Sequence, residues 1–102
     1  VTVKALEFLF EQYSNKSFVA RFGNITDYDI ESADGEIVAE CFASVSYKNN
    51  KKLDKDLEKL NSITCCVIRY EFFYDRDFNA DNYTAYKIKY PEINIIKFET
   101  LK

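Results

Sequence analysis

Between residues 2 and 13 the apolar positions recur at helical spacing. Val3, Leu6, Leu9, Phe10 and Tyr13 share one arc, and Lys4, Glu7 and Glu11 lie opposite. Ser14 and Asn15 end that pattern. From 17 to 22 the period falls to two, with Phe18, Ala20 and Phe22 on one side and Val19 and Arg21 on the other, which predicts a strand. Gly23-Asn24 interrupts it. Residues 25–31 offer a second strand in which Thr26, Tyr28 and Ile30 face away from Asp27, Asp29 and Glu31. Asp34-Gly35 then predicts a tight hairpin, because this pair tolerates the positive φ such turns demand. A long strand follows over 36–47, where Ile37, Ala39, Cys41, Ala43, Val45 and Tyr47 alternate with a face carrying Glu40, Ser44 and Ser46.

The second half repeats the change of period. Leu53, Leu57 and Leu60 at i, i+4 and i+7 predict a helix over 51–61, started by Asn49 or Asn50. Residues 64–74 read as a strand with Cys66, Ile68, Tyr70, Phe72 and Tyr74 on one face and Cys65, Val67, Arg69, Glu71 and Phe73 on the other. A polar turn over 75–82 leads to two closing strands, 83–90 and 93–100, around Pro91-Glu92. The expected order is αβββαβββ: an α+β fold with a single antiparallel sheet of about six strands and two helices packed on one face. Leu6, Phe10, Glu11 and Tyr13 can be laid over Leu53, Leu57, Glu58 and Leu60, as a duplicated αβββ unit would require. Any helix followed by a strand shows matches of this kind, so the duplication stays an expectation.

With 102 residues, residues 1–102 form one domain, and a chain of that size buries roughly 60–68% of its unfolded surface. Apolar residues make up 47% of the chain, which places it among globular proteins. No segment approaches the ~18 continuous apolar residues of a membrane span, so no membrane association is expected. The three cysteines include the neighbours Cys65 and Cys66, which point to opposite faces of a strand. Free buried thiols suit a reducing compartment, and the expected location is cytoplasmic. Abundant Lys, Asn, Ile, Phe and Tyr beside scarce Gly and Pro suggest an AT-rich coding sequence, as in a phage, plasmid or other mobile element.

Candidate chemistry is thin. The chain has no histidine, which removes the commonest general base and the commonest metal ligand. The cysteines lack C-x-x-C spacing, so no structural zinc is expected. Asp27 with Asp29, and Asp75, Asp77 and Asp81, lack the spacing of a calcium loop and read as solvated charge. Two glycines cannot supply a phosphate-binding loop. The expectation is a non-enzymatic protein with no catalytic residue, metal or cofactor.

Aromatic residues make up 17% of the chain, more than two short helices can cover on a six-stranded sheet. Phe72, Phe73, Tyr74, Tyr83, Tyr86 and Tyr90 are therefore the candidate partner-binding surface, for another protein or for self-association as a homodimer. Between Arg21 and Lys48 every charged residue is acidic, and Asp27, Asp29, Glu31, Asp34, Glu36 and Glu40 form a candidate acidic patch. The functional expectation is a small protein-binding module, an inhibitor or a regulatory accessory protein. The alternative is a nucleic-acid-binding regulator that stacks bases on the sheet and holds phosphate with Lys48, Lys51, Lys52, Lys55 and Lys59; the net charge of −3 disfavours it.

Overall fold

The computed structural model describes residues 1–21, 28–44, 51–63 and 67–100. Its elements are α1 (Thr2–Gln12), β1 (Phe18–Ala20), β2 (Ile30–Ser32), β3 (Ile37–Ser44), α2 (Lys51–Asn61), β4 (Ile68–Asp75), α3 (Ala80–Lys89) and β5 (Ile93–Lys97). The class is α+β, as the sequence predicts, but among the described residues the sheet is mixed and has five strands in the order β1-β2-β3-β4-β5. β1, β2 and β3 form an antiparallel meander, whereas β3, β4 and β5 run parallel.

The parallel half follows from a third helix. The stretch expected as a strand over 83–90 is α3, because Asn79 and Asn82 cap each other reciprocally: each side-chain oxygen accepts the other's backbone N–H, at 2.9 and 3.0 Å. Asp81 in the first turn and Lys87 and Lys89 in the last complement the helix dipole. With a helix between β4 and β5, as between β3 and β4, each strand returns in the same direction. The second half is therefore αβαβ and does not repeat an αβββ unit.

Both faces of the sheet are covered. α1 packs Ala5 and Leu9 on Ile30, Ile37, Ala39, Tyr70 and Phe72. α2 packs Leu53, Leu57 and Leu60 on Val38, Phe73, Ile93 and Ile95, and Phe78 and Tyr90, which flank α3, join that second cluster. Ile37 and Val38 are adjacent on β3, as are Phe72 and Phe73 on β4, so the two clusters lie on opposite faces. The expectation of both helices on one face is corrected accordingly. A central parallel strand is apolar on both sides because both sides are buried, which is the pattern of residues 68–74. On α1 the buried seam is rotated from the expected arc: Val3 and Phe10 are exposed, and Phe10 meets Phe18 edge-on at 5.4 Å.

The Asp34-Gly35 turn joins β2 to β3, with Gly35 at φ +75°. Asp34 Oδ1 accepts from the Ser32 hydroxyl at 2.6 Å and from the Glu36 N–H at 3.1 Å. Ser32 Oγ in turn accepts from the Ile37 N–H at 2.9 Å.

Candidate functional site: an acidic row under α2

Register brings carboxylates together where the sequence alone separates them. Arg21 bonds Asp29 through the backbone at the end of the β1–β2 ladder. Ile30 pairs with Ala39, which sets Asp29 beside Glu40, and Glu40 pairs directly with Glu71 across the parallel ladder. Beyond Glu71 the row ends on Ile95 of β5. Asp29, Glu40 and Glu71 thus lie side by side on the face that α2 covers. α2 adds a fourth acid, Asp56, from the same buried stripe as Leu53, Leu57 and Leu60.

These groups are enclosed. Glu71 is 0% exposed, Glu40 2% and Asp56 3%. Lys52 lies 2.6 Å from Asp56 Oδ1, and Lys59 Nζ approaches Glu40 Oε1 to 2.5 Å. The second contact is ionic in geometry, since Glu40 Oε1 has no hydrogen-bond partner. Lys59 also lies over the Tyr28 ring at 4.9 Å. Asp29 Oδ2 accepts the Cys41 N–H at 2.7 Å and is fixed by that bond. Asp56 Oδ2 and both oxygens of Glu71 accept no bond from any donor.

Like charges in adjacent positions of a sheet are unfavourable, and burial raises the cost. The row answers by holding protons. Burial, then the hydrogen bond to Asp29, pushes the Glu40 carboxyl up to about 7, against the pull of Lys59. Burial, then the charge and hydrogen bond of Asp56, holds Glu71 well above the ordinary carboxyl range. Among the described residues, no group of three or more acidic or cysteine side chains is arranged to hold a metal ion.

The expected site residues are dispersed by the fold. Phe72, Phe73 and Tyr90 are core side chains, and Phe72 and Phe73 are fully enclosed. Placing them on a partner-binding surface is therefore corrected: helices cover both sheet faces, and β4 is central. Tyr74 is half-buried, Tyr86 is half-buried with its hydroxyl donating to Asp54 at 2.8 Å, and Tyr83 alone of the set is exposed. Nor does the acidic set form one open patch. Glu31 pairs with Arg21 at 3.1 Å, Asp34 and Glu36 both meet Lys16, and Asp29 and Glu40 belong to the buried row. Asp27 lies outside the described residues, as do Cys65 and Cys66. The remaining cysteine, Cys41, is a half-buried free thiol that burial raises to about 12, far from a reactive thiolate.

The acidic row had one sequence signal. Asp56 occupies an apolar position in the 53, 57, 60 stripe of α2, and a charge there must meet something buried. Comparison with protein-family models, with curated proteins and with solved structures finds no match for this chain. Among the described residues no helix is long and apolar enough to cross a membrane.

Proposed function

We propose that this chain is a small non-enzymatic protein-binding module, a regulatory accessory protein or inhibitor, that docks a partner through the exposed surface of α3. The observation that carries the reading is that α3 has no fully buried residue. Tyr86 and the flanking Phe78 and Tyr90 hold it to the body, while Tyr83 is 41% exposed and Ile88 is 76% exposed between Lys87 and Lys89. An exposed apolar residue with Lys89 beside it fits a protein groove with an apolar floor and an acidic rim, while Lys87 turns to the body and donates to the Ile93 carbonyl at 2.7 Å. The absence of histidine, the raised Cys41 thiol and the enclosure of the acidic row support binding over catalysis. The free Cys41 thiol supports a reducing, cytoplasmic setting, and the AT-rich residue bias supports a mobile-element origin.

The nucleic-acid alternative has less to draw on, because Lys52 and Lys59 are already engaged by Asp56 and Glu40. The test is co-purification of tagged chain from its native host, beside an Ile88→Glu variant of unchanged melting temperature. A stoichiometric protein retained by the wild type and lost by the variant supports the reading. A monomeric chain with no stoichiometric partner, a partner held equally by both, or oligonucleotide binding whose log affinity falls with log salt would overturn it.

A further inference from the structure

Among the described residues Glu71 is the most enclosed polar side chain, and neither of its oxygens receives a hydrogen bond. Its carboxyl lies within hydrogen-bond reach of Asp56, whose Oδ2 is likewise without a donor, although Oδ1 is bound by Lys52. Two carboxylates cannot rest against each other in a dry interior unless something positive lies between them. Among the described residues no side chain fills that role. From α2, Lys52 is committed to Asp56 Oδ1, and from the same helix Lys59 reaches Glu40. On β4 itself, Arg69 donates through Nη1 to the Leu60 carbonyl at 3.2 Å. From β3 come Glu40 and the Cys41 thiol, neither of which contributes a positive charge, and β5 offers Ile95. Of the four carboxyls, Glu40 and Asp56 each have a lysine ammonium in contact, whereas Glu71 has none: the Arg69 guanidinium two residues along β4 makes no ion pair with it and leaves its Nε without an acceptor.

We propose that Glu71 carries a proton and donates it to Asp56 Oδ2, so that one hydrogen bond between two carboxyls locks α2 onto the centre of the sheet as a proton-dependent latch. The shared proton satisfies an orphaned oxygen on each partner without a cation. The arrangement also has a direction. Removing the proton places a second charge in a dry site already flanked by Glu40, and the relief available to the protein is to lift α2 and admit water. The lift centres on Asp56, while Leu53, Leu57 and Leu60 continue to hold the helix by their apolar contacts.

The test compares wild type with Glu71→Gln and Asp56→Asn across about pH 5 to pH 9. The amide of Glu71→Gln can donate to Asp56 Oδ2 at every pH. Wild type is expected to lose melting temperature, and amide-exchange protection in α2, as pH rises, and to show the infrared band of a protonated carboxylic acid at about pH 8. Glu71→Gln should hold its melting temperature over the alkaline half of the range and lack the band. If Glu71→Gln fails to fold, the band is read in wild type against Asp56→Asn: its persistence at about pH 8 in wild type, shifted in the variant, supports the latch. Absence of the band in wild type overturns the proposal. So does a rise in melting temperature with magnesium, calcium or manganese that Glu71→Gln abolishes, because a cation would then occupy the place assigned to the proton.

Discussion

Glu40 and Glu71 stand side by side in the parallel β3–β4 ladder, on the one face of the sheet where α2 closes over them. Each is compensated differently. Glu40 has the Lys59 ammonium at 2.5 Å, whereas Glu71 has only another carboxyl. Removing the compensation from either should therefore act in opposite directions with pH.

For Glu40 the lever is Lys59. Lys59→Met leaves the apolar stem and deletes the charge, so Glu40 must take up a proton or stay buried and ionised. Breaking a buried pair costs ~3–5 kcal/mol when the remaining charge cannot escape, and the partial exposure of Lys59 places the expected loss below that, at about 1–3 kcal/mol near pH 8. Near pH 5, where Glu40 can be neutral, the loss should shrink. Denaturant midpoints at the two pH values read the difference; equal losses would mean the lysine contributes by packing alone.

Glu40 also sets a pH window of its own. Its carboxyl is raised from 4.5 to about 7, so the folded state binds the proton more tightly than the unfolded chain. The corresponding stability is fully present below about pH 4.5, declines as pH rises, and is lost above about pH 7. Glu40→Gln should reduce this slope between the two values and leave the contribution of Glu71, which also begins in the ordinary carboxyl range, in place. A titration of melting temperature with unchanged slope between pH 4.5 and 7 in the variant would assign the effect to another group.

The parts of this fold legible from sequence are those set by local rules. Leucine spacing placed α2 at residues 51–61, and the Asp34-Gly35 turn placed the β2–β3 hairpin. What stayed hidden depended on partners distant in sequence. Tyr83, Tyr86 and Tyr90 recur at i, i+3 and i+7, but their β-favouring ring chemistry also reads as a strand, and the Asn79–Asn82 cap decided for the helix. Glu40 and Glu71 each read as a polar member of an alternating strand. Alternation separates two faces, yet it cannot say that a helix bearing its own acid will cover the polar one.

That cap is worth measuring. Asn79→Ala removes the acceptor for the Asn82 N–H and should cost ~1 kcal/mol. Because α3 is anchored by few side chains, the loss is expected to appear first as faster amide exchange across residues 80–89, with α2 little changed. A uniform increase across the whole molecule would show instead that α3 opens only with global unfolding.

In the β2–β3 turn, Ser32 is the buried connector between the Asp34 carboxylate and the Ile37 N–H. Ser32→Ala leaves that N–H without its acceptor, at an expected cost of ~1–3 kcal/mol. Lys16, with the Ser32 hydroxyl and the Glu36 N–H, holds the Asp34 carboxyl well below the usual carboxylate range. A depressed acid contributes above its ordinary range and loses that contribution as pH falls through the depressed value. Asp34→Asn should therefore flatten the acid limb of the stability profile and leave the alkaline limb untouched.

The two aromatic residues that best separate core from surface are Phe73 and Tyr83. Phe73 stacks on Phe42 at 5.4 Å and meets Phe78 edge-on at 4.9 Å, with no exposed surface. Phe73→Ala should cost ~3–5 kcal/mol through lost transfer energy and the cavity left beneath α2. Tyr83 shares the side of α3 that carries Tyr86 and Tyr90 but is 41% exposed, bordering a groove lined by Phe78, Asn79, Ala80 and Lys97, and Tyr83→Ala should change stability by no more than about 0.5 kcal/mol. If α3 is the docking face, the same Tyr83→Ala change should weaken partner binding at least several-fold, since exposed aromatic residues that become enclosed dominate interface energy. Melting temperature and affinity measured on the one variant separate the two roles: a large stability loss would return Tyr83 to the core, and unchanged affinity would move the docking surface off α3.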